Sequence, residues 1–500
     1  MHILGYVCLL ILANKVVPSV IQELPYLMNE REFQFYFGSD RRENVPLFEL
    51  FQPTVEPFDG ADENFGQNAK PEVVLKLQFQ TKVVRLNLKS RTNLVTGKTK
   101  IVTRSENGST EEYIERSTNF CHYLHVDRES AAAITSCDFE YFYGVVLLPN
   151  QTLEIQPLNG RLRGLIQRDG YHKTEPQNWH LIKSTSLGHV VNTDDIVNLT
   201  KFIPRNTDIH LLGDTLYQQN YTIEDLDELD DTREANRDST RLRKLTIELG
   251  LFFDEAAYRI FAPHFEYDDL QLKDFILAYV NGIQALYHHP SLGTPVDITV
   301  VYLEIMKKQP AAMPHYNGER EKLIDSFCSY QNNLNKEDDN DPNHWDLGLY
   351  ISGLDFYAVE NGRKSGVTMG LATVGGVCLG PYACVIAEFG TTSVFGKPYP
   401  SAGFTSVYVA AHEIGHSLGM RHDASGNACT KDGYVMSSSR GTQGETTWSS
   451  CSADVVRELS WAECLFDSPV KIQKELDAWK FEGYPGQVFT SKKQCEVLLV

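Results

Sequence analysis

The chain has 500 residues, a formal net charge of -20 and ten cysteines. Its length exceeds one ordinary hydrophobic core, so roughly two or three domains are expected, and a hydrophobic content of 42% with 22% charged residues is typical of a folded soluble protein. The acidic balance disfavours nucleic acid and acidic membrane surfaces as partners.

The first 19 residues are interpreted as a secretory signal peptide. The apolar stretch Ile3–Ala13 is too short to cross a bilayer, and Val17 and Ser19 favour cleavage after Ser19. The alternative is a buried N-terminal strand or helix. Since no later segment is long and apolar enough to span a membrane, we expect a secreted protein without a membrane span. In that compartment the nine remaining cysteines predict disulfides, with one thiol left over.

Residues 30–240 alternate short apolar runs with turn residues, a pattern that predicts a β-rich region with strands at 72–79 and 139–148. Four glycosylation sequons fall in the first half of the chain, at Asn107, Asn150, Asn198 and Asn220. An acidic run at 224–231 precedes a basic cluster, which contains Arg241, Arg243 and Lys244. In a secretory protein this cluster predicts a processing site, and the alternative is a charged linker.

Strands and helices alternate from residue 245 onward. Strands are predicted at 245–253, 296–305, 345–352 and 367–374, and helices at 272–289 and 321–335. The order favours an α/β domain with a mostly parallel sheet.

The stretch "AAHEIGHSLGMRHD" (Ala410–Asp423) lies in a predicted helix that Thr405 or Ser406 could cap. His412 and His416 are four residues apart, so they share one helix face and can bind one zinc ion. Gly419 allows a sharp turn that returns His422 as a third nitrogen ligand. Three nitrogens leave a fourth position open, which is typical of a catalytic zinc site.

Glu413 follows the first histidine and points to the side of the histidine face. It can hydrogen-bond a water at the metal without being a ligand, and it is predicted to act as the general base of peptide-bond hydrolysis. A helix that happens to carry histidines is the alternative interpretation.

This stretch resembles the metzincin metallopeptidases, whose extended pattern HExxHxxGxxH it fits. Met436 in "DGYVMSSS" resembles the methionine turn of that family. Asp423 after the third histidine resembles the adamalysin (reprolysin) variant, in which it is a structural anchor and not a ligand.

Further segments resemble the ADAMTS branch (a disintegrin and metalloproteinase with thrombospondin motifs), among them "NDPNHWDLGLYIS" and "TTWSSCSADVVRELSWAECLFDSP". The resemblance implies an α/β (α+β) metzincin catalytic domain with a zinc-site helix and a mostly parallel twisted sheet, preceded by a β-rich propeptide domain. The implied division is a signal peptide at 1–19, a propeptide at 20–244, a reprolysin-like domain at 245–468 and the start of a truncated disintegrin-like region at 469–500.

The resemblance also implies four disulfides, which are Cys121–Cys137, Cys328–Cys384, Cys378–Cys464 and Cys429–Cys451. Cys495 is then left over. If Cys121 and Cys137 pair, the propeptide has no free cysteine to block the zinc, so latency needs another cause. Extracellular protein substrates and a propeptide-processing protease are implied as partners, and the longer "VFGKPYPSAGF" before the zinc helix leaves the specificity open.

Calcium is a second expected cation. The run Lys336–Asp346 holds carboxylates close together, and the family places carboxylates where this chain has Glu248, Asp346 and Asp467. Salt bridges or solvation would explain these carboxylates equally well. Two other functions stay open alongside a secreted zinc endopeptidase: a venom or salivary effector protease, and a non-catalytic matrix-binding relative.

Overall fold

A computed structural model describes the greater part of the chain. The described residues are 23–38, 42–57, 72–80, 82–91, 93–115, 121–127, 130–149, 151–168, 178–185, 191–192, 196–197, 244–360, 363–366, 369–390, 403–440 and 446–467. The predicted signal peptide, the sequons at Asn150, Asn198 and Asn220, the acidic run at 224–231, Arg241, Arg243, Cys495 and most of "VFGKPYPSAGF" lie outside these residues.

The N-terminal region forms a nine-stranded sheet in the order β1-β11-β10-β9-β8-β7-β4-β3-β2, and all of its neighbouring strands pair antiparallel. Alternating buried and exposed residues along β3 and β4 explain why these segments form strands. The strands are β1 Phe48–Phe51, β2 Thr54–Pro57, β3 Val73–Phe79, β4 Lys82–Ser90, β7 His122–Val126, β8 Ala131–Thr135, β9 Tyr143–Leu148, β10 Gln151–Pro157 and β11 His180–Thr185.

A second sheet has eight strands in the order β13-β19-β20-β16-β14-β15-β5-β6. β14 pairs in parallel with β15 and β16, and β16 pairs in parallel with β20, whereas β19 runs antiparallel to β20. All residues of β14, β15 and β16 are buried, as is usual for parallel strands covered on both faces. The strands are β5 Val95–Arg104, β6 Thr110–Ile114, β13 Ile196–Val197, β14 Leu245–Phe253, β15 Val296–Met306, β16 Leu347–Ser352, β19 Gly370–Thr373 and β20 Cys384–Glu388.

Two short strand pairs complete the β-structure of the described residues. They are β12 Val191–Asn192 with β21 Ser439–Arg440 and β17 Ala358–Glu360 with β18 Arg363–Ser365. The α-helices are α1 Glu30–Phe37, α2 Gly160–Arg168, α3 Glu255–Phe261, α4 Asp269–Tyr287, α5 Arg320–Leu334, α6 Val407–Ser417 and α7 Ser450–Arg457.

Helix α4 lies between the two sheets. Asp268 caps its first turn by accepting from Leu270 N at 2.9 Å, and every residue from Phe275 to Tyr287 is buried. Its two interior amides donate on opposite sides: Asn281 Nδ2 donates to Tyr123 O of the N-terminal sheet at 3.1 Å, and Gln284 Nε2 donates to Val296 O at 2.7 Å.

The mixed α/β content predicted for the C-terminal half is present in the structure. One local expectation is wrong in part: the Ser406 side chain does not cap α6. Ser406 occupies the N-cap position in a helical conformation without a side-chain capping bond, because a 3-10 turn at Gly403–Ser406 leads directly into α6. The Ser406 carbonyl instead accepts from Tyr279 Oη at 3.0 Å.

Four disulfides cross-link the described residues, namely Cys121–Cys137, Cys328–Cys384, Cys378–Cys464 and Cys429–Cys451. Cys328–Cys384 ties α5 to β20, and Cys378–Cys464 joins the loop after β19 to the last described segment. No helix among the described residues combines the length and the apolar character needed to cross a bilayer.

The close packing of Trp345 on β14 yields a first prediction. A Cβ added to Gly250 would lie 2.7 Å from Trp345 Cδ2, and this indole is buried and donates to Gln331 Oε1 at 2.7 Å. We expect Gly250→Ala to lower the free energy of unfolding by about 1–3 kcal/mol through overpacking. The matched control is Gly97→Ala in β5, where an added Cβ meets nothing within 4 Å. Equal denaturation midpoints for the two variants would contradict this account.

Candidate metal centre

Helix α6 carries the first two histidines of the candidate site. All residues of Val407–Ser417 are buried, so the helix is held by packing on every side. The hydroxyl of Tyr287 in α4 donates to Ala411 O at 2.8 Å, one residue before His412. Burial and the nearby Glu413 charge raise the pKa of Tyr287 well above its ordinary value, so this phenol remains a donor.

The third histidine returns through a turn at the end of α6. Leu418 is the C-cap, and Gly419 follows with φ 101°, a conformation that favours glycine. Met420 N then donates to Gly415 O at 2.9 Å. The turn places His422 Nε2 3.1 Å from His412 Nε2 and 3.2 Å from His416 Nε2.

Backbone carbonyls fix the orientation of two of these imidazoles. His412 Nδ1 donates to Val435 O at 2.6 Å, and His416 Nδ1 donates to Met420 O at 2.7 Å. Since a carbonyl can only accept, Nδ1 carries the proton and Nε2 is the acceptor atom of each ring. Nitrogens at zinc-ligand distance around a tetrahedral ion lie about 3.3 Å apart, close to the observed separations. The three histidines therefore fit one zinc ion.

Glu413 lies beside the histidines, 1% exposed, with its carboxylate against the first residue of β19. A Cβ at Gly370 would lie 2.6 Å from Glu413 Oε1 and 2.5 Å from its Cγ. Only glycine leaves room for this carboxylate. The sequence pattern did not identify Gly370, because the contact joins residues 43 positions apart; a lone glycine inside a predicted strand was the available signal.

Met436 lies under the zinc helix, as the methionine-turn resemblance implied. It is fully buried, and a Cβ at Gly415 would meet its Sδ at 2.8 Å. The backbone of Met436 and of its neighbour Val435 contacts the histidine segment, since Val435 O accepts from His412 Nδ1 and Met436 O accepts from Asp423 N at 2.9 Å.

Asp423 is buried and accepts from Ser449 Oγ at 2.6 Å. Burial raises the pKa of Asp423, while the Ser449 hydrogen bond and His422 act in the opposite direction. Ser449 also caps α7 by accepting from Ser452 N at 3.2 Å. Ser449 was not among the predicted residues, and "TTWSSC" offers only a generic helix-capping serine as a signal.

A second acidic group surrounds Asp346. The donor atoms of Asp339, His344 and Asp346 lie within 4.8 Å of one another, and Asp346 Oδ2 accepts from Glu248 N at 2.8 Å. Burial raises the pKa of Asp346 well above its usual range, with further contributions from the charges of Glu248, Asp339 and Asp467. The three residues expected to bind calcium thus lie close enough to interact, although the tightest grouping contains Asp339 and His344 instead of Glu248 and Asp467.

Comparison with known proteins identifies the family of the domain that holds the three histidines. Residues 246–469 match the family "Reprolysin (M12B) family zinc metalloprotease". The chain contains a reprolysin domain. The predicted resemblance to this family is therefore confirmed.

Curated relatives extend the similarity beyond the reprolysin domain. "A disintegrin and metalloproteinase with thrombospondin motifs adt-1" of Caenorhabditis elegans is 27% identical over 511 residues, which cover 95% of this chain and 31% of that protein. "A disintegrin and metalloproteinase with thrombospondin motifs 7" of Rattus norvegicus is 31% identical over a segment that covers 40% of this chain and 12% of that protein. "A disintegrin and metalloproteinase with thrombospondin motifs 13" of Homo sapiens is 30% identical over a segment that covers 45% of this chain and 15% of that protein. The chain thus spans less than a third of the length of these relatives.

The Asp423–Ser449 contact of the reprolysin domain yields a second prediction. We expect Ser449→Ala to lower the free energy of unfolding by about 1–3 kcal/mol, because it removes a helix cap and a donor to a buried carboxylate. Zinc should also leave the variant faster in a chelator competition, since the Asp423 backbone follows His422 directly. Ser460→Ala, at an exposed serine nearby, is the control. Indistinguishable unfolding and zinc loss in the two variants would refute the anchoring role.

Proposed function

We propose that this protein is a secreted zinc-dependent endopeptidase that hydrolyses peptide bonds of extracellular proteins. The observation that carries the proposal is the convergence of His412, His416 and His422, with Nε2 separations of 3.1 and 3.2 Å, beside the buried Glu413. The membership of the domain among zinc metalloproteases supports the same reaction class.

The roles follow from the chemistry of each group. When bound by the three histidines, zinc would supply a Lewis acid and lower the pKa of a coordinated water. Glu413 would accept a proton from the attacking water and deliver it to the leaving amine. Gly370 leaves the space that this carboxylate occupies, and the carbonyls of Val435 and Met420 hold the two helix histidines in the ligating tautomer.

We further propose that the protein is made as a zymogen. Residues 1–19 would be a signal peptide, 20–244 a propeptide, 245–468 the catalytic unit and 469–500 the start of a disintegrin-like region. A processing protease would cut near Lys244, whose Nζ lies 2.5 Å from Asp297 Oδ2. Asn107 is exposed in the turn between β5 and β6, which supports its glycosylation, and Asn150, Asn198 and Asn220 are proposed from their sequons alone.

Calcium is proposed as a structural ion at Asp346, together with Glu248 and Asp467. The supporting observation is that Asp346 Oδ1 is buried and accepts no hydrogen bond from any described residue, with His344 Nε2 at 3.9 Å, while the other oxygen of the same carboxylate accepts from Glu248 N. A buried carboxylate oxygen that faces other carboxylates is costly without a cation.

A third prediction tests the base. We expect Glu413→Gln to lower the hydrolysis rate of casein by about 10²–10⁴-fold, because the amide cannot accept the proton. Zinc content, measured by metal analysis, should not change, because Glu413 is not a proposed ligand. Near-wild-type hydrolysis by this variant would refute the assignment, whereas loss of zinc would show that Glu413 holds the metal.

A fourth prediction tests calcium. At constant zinc, saturating calcium should raise the thermal unfolding midpoint, by an amount that corresponds to about 2.7 kcal/mol at one hundred times the dissociation constant. Asp346→Asn should abolish the rise and, without calcium, should not destabilise the protein. Asp454→Asn, at a carboxylate that is 56% exposed, is the control and should keep the calcium response.

The stabilisation by calcium should increase as the pH rises, for the following reason. Because the pKa of Asp346 is raised in the folded chain, the folded state keeps a proton that the unfolded state loses, so stability without calcium falls as the pH rises above the usual aspartate pKa. The calcium effect should therefore grow with pH. A pH-independent calcium effect would argue against binding at Asp346.

A further inference from the structure

A second cluster of metal-ligand side chains lies in the loop between α5 and β16. One carboxylate oxygen of Asp339, one ring nitrogen of His344 and one carboxylate oxygen of Asp346 lie within 4.8 Å of one another. His344 Nε2 is 3.3 Å from Asp339 Oδ1 and 3.9 Å from Asp346 Oδ1. The cluster shares no residue with the three histidines of the candidate metal centre, and it contains a nitrogen donor that the proposed calcium site does not use.

Asp346 is the buried and firmly held member of this cluster. Its side chain is fully buried, and its backbone and side chain are both bonded to β14: Asp346 N donates to Glu248 O at 2.9 Å, and Glu248 N donates to Asp346 Oδ2 at 2.8 Å. Asp346 Oδ1 accepts no hydrogen bond from any described residue. Because an unpaired carboxylate oxygen is costly to bury, this atom needs a proton or a cation.

His344 directs a ring nitrogen toward the two carboxylates. Its Nδ1 lies 2.6 Å from Lys336 O, and since a carbonyl can only accept, Nδ1 carries the proton of the neutral ring. Nε2 then has the free electron pair, as in His412 and His416, whose Nδ1 atoms also donate to carbonyls. A neutral imidazole and two carboxylates are all acceptors at this point, so a cation can satisfy the three together.

The loop holds these donors in place through other contacts. Asn335 Nδ2 donates to Trp345 O at 2.7 Å, and Trp345 N donates to Asn335 Oδ1 at 3.0 Å. His344 N donates to Asp341 O at 2.9 Å. Because the backbone around His344 is already ordered, little conformational freedom is lost when an ion binds.

The mixture of donors favours zinc over calcium. Calcium takes roughly six to eight oxygen ligands, whereas imidazole nitrogen together with carboxylate oxygen suits zinc. Ligand atoms around a tetrahedral zinc lie about 3.3 Å apart, so Asp339 and His344 already fit, and His344 and Asp346 would approach by about 0.6 Å. Asp339 is 46% exposed, which leaves a fourth position open to water on its side of the cluster.

We propose that Asp339, His344 and Asp346 form a second zinc site, separate from the three histidines. Asp346 Oδ1 is also the atom proposed to bind calcium, so the two ions compete for it, zinc from the side of His344 and calcium together with Glu248 and Asp467. A zinc ion here fastens the loop between α5 and β16 to the buried start of β16. The second zinc site does not depend on the proposed endopeptidase function, and only the competition rests on the proposed calcium site.

The test measures the zinc content of the full chain in the Glu413→Gln background, where hydrolysis is suppressed. Protein freed of metal with a chelator is dialysed against buffered zinc and analysed for metal. We expect two zinc ions per chain in this parent and one in His344→Gln and in Asp339→Asn. The matched control Glu337→Gln removes an exposed carboxylate of the same acidic run and should keep both ions. Circular dichroism verifies folding, and Asp339→Asn alters a half-exposed side chain, so it decides the result if His344→Gln does not fold.

Titration calorimetry with zinc is the second readout. Loss of one ligand should weaken binding of the second zinc about a hundredfold or more, since even a change in the groups behind a ligand costs about 10–100-fold. Equal zinc content and affinity in the parent, His344→Gln and Asp339→Asn would overturn the inference and leave His344 as a protonated partner of two carboxylates. An equal loss of zinc in Glu337→Gln would also overturn it, because the acidic run would then bind zinc without a defined site.

The zinc content of His344→Gln separates this inference from the proposed function. If the parent holds one ion and His344→Gln holds none, the three histidines do not bind zinc, and the proposed function fails while the second site stands. If the parent holds one ion and His344→Gln keeps it, the second site fails and the histidine centre stands.

Calcium tests the sharing of Asp346. Calcium at ten times its dissociation constant should raise the apparent dissociation constant of the second zinc about elevenfold, as competition for one site requires. The rise of the unfolding midpoint with calcium should persist in His344→Gln, because calcium prefers oxygen ligands, and should vanish in Asp346→Asn. Loss of the calcium response in His344→Gln without loss of zinc would assign the cluster to calcium and overturn the inference.

Discussion

The two-sided burial of helix α4 is the constraint on which the rest of the structure depends. One side packs against the N-terminal sheet, where Asn281 donates to Tyr123 O, and the other side reaches β15 through Gln284. Its tyrosines also hold the zinc helix, at Ser406 O and Ala411 O. Because the helix is buried on all sides from Phe275 to Tyr287, it cannot rotate to improve one contact without losing another. The packing of α4 thus sets the position of α6, and with it the positions of His412 and His416.

The histidine centre and the proposed calcium site would each hold a cation in the protein interior, but with different kinds of ligand. At the proposed zinc centre, His422 Nε2 lies 3.1–3.2 Å from the Nε2 atoms of His412 and His416, and the Nδ1 atoms of those two rings donate to carbonyls behind them. At Asp346, burial raises the pKa of the carboxyl, and repulsion from the neighbouring carboxylates adds to the effect, so a proton is favoured when no cation is bound. Nitrogen ligands suit zinc and clustered carboxylates suit calcium, so each ligand set favours its own ion.

Local sequence patterns predicted the structure correctly wherever all residues of the pattern lie in one helix or one strand. The strand predicted at 245–253 coincides with β14, and the helices predicted at 272–289 and 321–335 overlap α4 and α5 closely, because long periodic or β-branched runs leave few alternatives. The three histidines were identifiable because one helix and one turn bring them together. Gly370 and Ser449 were not, since their partners Glu413 and Asp423 are 43 and 26 residues away. The expected side-chain cap at Ser406 was wrong because a 3-10 turn precedes α6.

The insertion of N-terminal strands into the second sheet was also beyond local patterns, and it changes how the two parts of the chain depend on each other. The strands β19-β20-β16-β14-β15 have one N-terminal strand at each edge, with β13 beside β19 and β5 beside β15. An uncovered edge can pair with another chain. The β19 edge lies beside Glu413, through Gly370, whereas the β15 edge belongs to a strand that is buried along its whole length. The N-terminal region therefore protects both edges of this five-stranded unit, and the two parts of the chain form one sheet.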